Sequence, residues 1–174
     1  MFYLKIIGSA LIVFSTSIMG YCYGEQFSNR LNNLIYMEQC IKILETEIVY
    51  GSNLLTEALN NVYHRGNKKV SFVFREIKDH LLNNKEGDVY SSFLVVSNSL
   101  KNTLSFKDED IDLFLSLGRV LGSSDRRDQE KNFSLILKQI SFLEVNARIE
   151  RDKSERMFKG LGILLGFTIV IILL

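Results

Sequence analysis

Two charge-free apolar stretches stand near the two ends of the 174-residue chain and limit what it can fold into. Residues 6–24 (IIGSALIVFSTSIMGYCYG) would measure roughly 28 Å as an α-helix at about 1.5 Å per residue, close to the hydrocarbon thickness of a bilayer. Residues 160–174 (GLGILLGFTIVIILL) would measure about 22 Å, and Lys159 can extend that length by snorkelling. We therefore predict an N-terminal transmembrane helix over residues 1–24 and a C-terminal one over residues 157–174.

Each stretch has an alternative interpretation. For the first stretch, the alternative is a cleaved signal peptide, with Lys5 as the basic region and Ser15-x-Ser17 as a weak cleavage site. A lipoprotein signal is excluded because the bulky Tyr21 precedes Cys22, where a small residue is needed. For the second stretch, the alternative is a buried core strand. We favour a membrane helix at both ends.

Basic residues set the predicted orientation. Five of them precede the second stretch: Arg148, Arg151, Lys153, Arg156 and Lys159. The first stretch is preceded only by Lys5 and the amino terminus. The positive-inside rule therefore predicts that residues 25–159 lie in the cytoplasm, with both termini on the other side of the bilayer.

The intervening residues 25–156 show apolar side chains at helical spacing and, like the rest of the chain, no proline. In the first predicted helix this stripe is Leu31, Leu34, Ile35, Ile41, Leu44 and Ile48. The same spacing predicts six helical segments, at about residues 26–50, 53–64, 69–83, 88–104, 105–122 and 123–159. A strand is the alternative at residues 93–96. The fold class is thus all-α: a cytoplasmic bundle of about six helices, the last continuous with the second span.

Four glycines occur at helical spacing within the two apolar stretches. Gly20 and Gly24 are four residues apart, as are Gly162 and Gly166. Small residues at this interval let two membrane helices approach closely. We predict that these four positions form a contact between the two spans.

The sequence carries no catalytic constellation. The histidines and cysteines lack zinc-ligand spacing, and no phosphate-binding loop occurs. The acids among residues 108–112 are explained by the preference for negative charge at a helix N-terminus. A formal charge of +1 gives no basic excess for nucleic acid, and Cys22 lies in an apolar segment, which disfavours a disulfide with Cys40. We expect no enzyme activity, cofactor, metal, nucleic acid or small-molecule substrate.

Charges near two helix ends suggest a binding module instead. Glu45 and Glu47 stand at the end of the first predicted bundle helix, where carboxylates oppose the helix dipole. They are either solvated surface or an acidic contact for a basic partner. Arg119, Arg126 and Arg127 flank a second turn and carry the opposite sign, with the same two interpretations.

Three ordered signatures give the sequence a family resemblance. They are residues 44–51 (LETEIVYG) with 55–59 (LTEAL), residues 117–125 (LGRVLGSSD) with Gln129, and residues 159–162 (KGLG) with the apolar tail. Together they resemble the stage III sporulation protein AB family over essentially the whole chain. The family usually has proline ahead of the LxEAL run, where this chain has Ser52-Asn53-Leu54, so the turn geometry is expected to differ.

The resemblance implies a function that composition alone does not. The family is similar to the cytoplasmic domain of the type II secretion inner-membrane platform protein. It implies an adaptor in a channel complex between mother cell and forespore of an endospore-forming bacterium, in the mother-cell membrane facing the forespore. The implied partners are the secretion-type ATPase of the same operon, other channel membrane proteins and the lipid bilayer.

On this interpretation two contact surfaces are expected. One consists of Glu45, Glu47 and Glu57, and the other of Arg119, Asp125 and Arg126. The alternative from another class is a two-span sensor, but a sensor would place its bundle outside and carry an output domain.

Overall fold

The computed structural model describes residues 2–84, 88–121 and 126–173, and every regular element within those ranges is a helix. In chain order they are α1 (Phe2–Glu45), a π-helical turn (Thr46–Tyr50), α2 (Leu55–Arg65), α3 (Lys68–Asn83), α4 (Val89–Val95), α5 (Ser97–Asn102), α6 (Asp108–Leu121) and α7 (Arg126–Leu173). The all-α prediction is confirmed, and the segment considered as a possible strand is helical over residues 93–95, with Val96 in a turn.

The chain divides into two compact units. The first comprises residues 1–31 and 146–174, and the second comprises residues 32–145. The predicted divisions at residues 24 and 157 marked where apolar composition changes, whereas these units follow the packing of the backbone.

The first unit contains the apolar parts of α1 and α7. Taken together, α1 from Ile7 onward and the π-helical turn form a helical segment, Ile7–Tyr50. Within the described part of the chain, this is the one helix long and apolar enough to cross a membrane, and most of its apolar stretch is exposed. The C-terminal apolar stretch is helical as far as Leu173, and Ile171 and Ile172 are among its exposed side chains. Both predicted spans are therefore helical, and the N-terminal one has the length and composition of a membrane span.

The second unit has an aromatic centre. The Phe114 ring lies 5.7 Å from that of Phe74 in an edge-to-face arrangement and 5.3 Å from that of Phe93. Gly118 makes room for this cluster, because a Cβ there would lie only 2.7 Å from Cγ of Phe93. The other buried apolar residues come from α1, α2, α3, α5, α6 and α7: Leu34, Met37, Ile41, Leu44, Leu59, Val62, Val73, Ile77, Leu100, Leu117, Phe133 and Ile140. Burying this surface is the main force that holds the short helices together.

Local side chains explain where three of the helices begin. Asn67 caps α3 by accepting a hydrogen bond from Lys69 N at 3.0 Å, and Asp88 caps α4 through Tyr90 N at 3.2 Å. At the start of α6, Asp110 Oδ2 accepts a hydrogen bond from Lys107 N at 2.9 Å. These caps satisfy amides that the first helical turn leaves without partners.

Two helix boundaries differ from the predicted ones. The segment expected as one helix over 88–104 is divided into α4 and α5 at Val96, whose backbone (φ −84°, ψ 0°) departs from regular α geometry. Conversely, α1 runs without a break from the apolar stretch into the second unit. As predicted, the last helix is continuous with the C-terminal stretch, in α7.

Candidate functional site

Glu47 occupies the π-helical turn that follows α1, and its side chain points inward. Its Oε2 accepts hydrogen bonds from the side-chain amides of Asn53 and Asn61, each at 2.7 Å, and Arg65 Nη1 lies 2.5 Å from Oε1. The residue is buried, together with its neighbour Val49. A carboxylate with three donors is well compensated for the loss of water. Glu47 therefore ties the end of α1 to both ends of α2.

The same donors shift the pKa of Glu47. The hydrogen bond from Asn61 is the largest influence and holds the pKa below the ordinary value of 4.5. Burial acts in the opposite direction, while Asn53 and Arg65 add to the lowering. Glu47 is thus held in its charged form, as expected for a carboxylate whose ionised state receives the hydrogen bonds.

The chain reverses direction directly after this turn. Gly51 N donates to Thr46 O at 2.9 Å and Asn53 N donates to Glu47 O at 3.1 Å. Gly51 has ordinary right-handed angles, and the left-handed residue is Ser52, at φ 53°. Glycine is nevertheless required at position 51, because a Cβ there would lie 2.7 Å from Glu47 O.

A cleft of about 340 Å³ opens beside this reversal. One side is formed by Ile48 and residues 52–55, and the other by Leu121 at the end of α6 and Gln129 near the start of α7. The sequence signature around residues 44–59 thus meets the signature around residues 117–129. A half-polar cleft between two helix ends suits contact with a protein segment.

The three predicted acidic contact residues have different environments. Glu57 is exposed, Glu45 is half-buried and Glu47 is buried. Burial raises the pKa of Glu45, nearby Glu130 raises it further, and Lys42 opposes them. Glu45 and Glu57 can therefore reach a partner, while the Glu47 carboxylate is occupied within the fold.

The predicted basic surface is described only in part. Arg119 is exposed; its Nη2 donates to Tyr90 Oη at 2.8 Å, and its guanidinium lies 4.7 Å from the centre of the Tyr90 ring. Asp125 lies outside the described residues, and so does the side chain of Arg126, the first residue of α7. The contact role of these three residues stays a prediction.

The four predicted glycines come together where α1 meets α7 within the first unit. A Cβ on Gly20 would lie 2.9 Å from Gly162 Cα, and one on Gly162 would lie 2.7 Å from Thr16 O. A Cβ on Gly166 would lie 2.9 Å from Val13 Cα, and the approach is looser at Gly24, where a Cβ would lie 3.2 Å from Glu155 O. Backbone contact this close requires glycine, which is the geometry of small-residue packing between membrane helices.

Sequence reasoning missed an ion pair in the same unit. Arg30 Nη1 lies 2.7 Å from Glu150 Oε2, and the Arg30 side chain is only 4 % exposed. The stacked rings of Phe27 and Phe158, 5.8 Å apart, lie at the same helix pair. The available signal was a lone arginine beside the apolar stripe of α1, which does not identify a partner 120 residues away.

Over the described residues, these features define an all-helical protein with one apolar helix suited to a membrane. The same residues include no group of three or more His, Cys, Asp or Glu side chains able to hold a metal ion. The family model for stage III sporulation protein AB matches residues 5–174. The chain belongs to this family, as the three signatures predicted.

Two relatives support the assignment. The stage III sporulation protein AB of Bacillus subtilis (strain 168) is 29 % identical over 174 residues, which cover 98 % of this chain and 99 % of the relative. A solved structure of a stage III sporulation protein AB has a TM-score of 0.61 and 25 % identity, covering 72 % of this chain and 98 % of the solved one. The helical fold described above is therefore similar to a known member of the family.

Proposed function

We propose that this protein is a non-catalytic membrane adaptor in the channel complex between mother cell and forespore. In this role it couples a cytoplasmic secretion-type ATPase to the other membrane proteins of the channel. Membership of the stage III sporulation protein AB family supports the sporulation context. The observation that carries the adaptor role is the meeting of two family signatures at the cleft beside Glu47.

The proposal places both apolar stretches across the mother-cell membrane facing the forespore. The exposed apolar surface of the C-terminal stretch would be costly in water and is favourable in lipid. The close approach of Gly20 and Gly162 supports packing of the two spans against each other. The five basic residues before the second stretch support a cytoplasmic location for residues 25–159.

The proposed ATPase contact is the face around the cleft. Glu45 and Glu57 supply negative charge, and the proposed contact also includes Arg119, Asp125 and Arg126 of the second signature, as the sequence predicts. Glu47 contributes to the proposed contact only indirectly, because it stabilises the turn that positions the neighbouring residues for the ATPase. Movement of the ATPase would reach the bilayer through α7, which is one continuous helix from Arg126 to Leu173.

A charge reversal at an exposed position tests this contact without disturbing the fold. Glu57→Lys should abolish co-purification of the full chain with the cognate ATPase and stop sporulation, whereas Asp112→Lys, an exposed acid on α6, should leave both unchanged. Retention of ATPase binding by Glu57→Lys, or equal loss in both variants, would contradict the proposed contact. Glu47 is unsuitable for this test because its reversal would disrupt the turn itself.

A further inference from the structure

The outer face of α7 carries an apolar line that its own unit leaves uncovered. Leu135, Phe142 and Val145 are 57 %, 65 % and 53 % exposed. Together with the exposed Lys131 and Lys138 they follow an alternating spacing of four and three residues. Contact residues in packed pairs of helices follow this spacing.

The core of the second unit uses a different face of α7. Phe133, Ile136, Ile140 and Leu143 are buried, and they too follow the spacing of three and four. The exposed line is about half a turn away from them around the helix axis, since each residue advances by about 100°. Packing of the unit's own core therefore does not account for the apolar side chains at 135, 142 and 145.

The exposed line borders a groove between α6 and α7. Its volume is about 460 Å³, and Leu113, Leu135, Phe142 and Leu143 form most of its lining. Lys138 and Gln139 add polar groups from α7, and Glu109 is the carboxylate that α6 contributes. A concave apolar surface with a few polar groups at fixed positions suits an amphipathic helix laid along it.

The charges on the line indicate the chemistry of that helix. Lys131 and Lys138 are seven residues apart, and neither forms an ion pair with a carboxylate in the described part of the chain. Between Lys131 and Val145 the only acid on α7 is Glu144, whose Oε1 is buried. The exposed line of a second copy of this chain would thus carry lysines and no free carboxylate. Pairing of two copies through this line is therefore disfavoured.

A lipid surface fits the pattern less well. A helix that lies on a bilayer keeps its basic residues on a polar face beside the apolar one. Here the two lysines stand within the apolar line, and the groove is concave. Both features favour a narrow helical partner over a flat membrane surface.

We propose that the α6–α7 groove docks an amphipathic helix of a partner protein whose apolar face carries two acidic residues seven positions apart. Those acids would lie beside Lys131 and Lys138, and the apolar residues between them would cover Leu135 and Phe142. This surface is separate from the cleft beside Glu47, so its failure would leave the proposed ATPase contact untouched.

The test uses the full chain in phosphatidylcholine nanodiscs and two fluorescent helical peptides of about 18 residues, or five turns. Both peptides have a leucine face, interrupted seven residues apart by glutamates in one probe and by lysines in the other. Anisotropy should show the glutamate probe binding about tenfold more tightly, the ratio that corresponds to ~1.4 kcal/mol. Phe142→Asp should abolish binding of both probes, while Leu82→Asp, at an exposed position on α3, should not.

Lys138→Glu provides the decisive comparison, because an exposed position tolerates the change. It should weaken binding of the glutamate probe and strengthen binding of the lysine probe. Equal binding of both probes, or no reversal in Lys138→Glu, overturns the proposal. It is also overturned if the chain self-associates through Phe142, or if phosphatidylserine nanodiscs abolish glutamate-probe binding by occupying the groove.

Discussion

Glu47→Gln tests whether a buried carboxylate holds the turn after α1. Three donors converge on its two oxygens: two side-chain amides and the Arg65 guanidinium. A glutamine retains only one acceptor oxygen and must turn its NH₂ group toward one of those donors. If the remaining oxygen keeps the two asparagine amides, the NH₂ group faces Arg65.

The expected loss of stability follows from these contacts. A hydrogen bond to a charged group contributes roughly 1.5–3 kcal/mol, against about 0.5–1.5 for a neutral one. Two bonds therefore lose about 2 kcal/mol together when the charge is removed. The Arg65 side chain is 62 % exposed, so its ion pair adds only ~0–1 kcal/mol. We expect Glu47→Gln to lower the free energy of unfolding by about 2–3 kcal/mol in total.

Urea unfolding of the full chain in detergent micelles, followed by circular dichroism, measures this loss, with Glu57→Gln as the exposed control. The folded-state pKa of Glu47 lies below its ordinary value of 4.5. Its stabilisation is therefore present above pH 4.5 and is lost as the pH falls through the folded-state pKa. The difference between wild type and Glu47→Gln should shrink as the pH falls below 4.5. A difference that stays constant with pH, or one no larger than that of Glu57→Gln, would refute the reasoning.

Three further predictions concern other parts of the chain. Leu54→Pro should raise the free energy of unfolding by about 0.4–1 kcal/mol, because Leu54 is exposed and its φ of −61° suits proline; destabilisation in urea unfolding would show that the turn rejects the ring. Gly162→Leu should separate α1 from α7 and reduce disulfide cross-linking between cysteines placed at Phe27 and Phe158, whose rings stack 5.8 Å apart, whereas Gly160→Leu, whose Cβ meets nothing within 4 Å, should not. In a Cys22→Ser background, Cys40 should react with a thiol reagent at pH 8 at least about 100-fold more slowly than a free cysteine, since burial raises its pKa from 9.0 to about 11; a rate equal to that of the unfolded chain would contradict this.

The sequence predicted the helices well where the signal was local. The segment predicted to begin at residue 88 does so in the structure, because the Asp88 side chain caps the turn that follows it. By contrast, the break at Val96 has no glycine or proline to announce it.

The orientation of Glu47 could not be predicted from a helical period of 3.6. That period continues the buried face of α1 from Leu44 to Ile48 and places Glu47 outside. The π-helical turn adds a residue to the turn and shifts the phase of the side chains. As a result Glu47 and Val49 become buried, while Ile48 is left half-exposed at the cleft. The donors that make this possible lie up to 18 residues further along the chain.

The central claim, that the cleft beside Glu47 contacts the ATPase, is tested most directly by photo-crosslinking in sporulating cells. A crosslinking residue at Leu54, which lines the cleft and is 75 % exposed, should form an adduct with the ATPase. The same residue at Leu82, 55 % exposed on α3, should form none. An ATPase adduct at Leu82 but not at Leu54, or none at either position while the complex still co-purifies, would contradict the account.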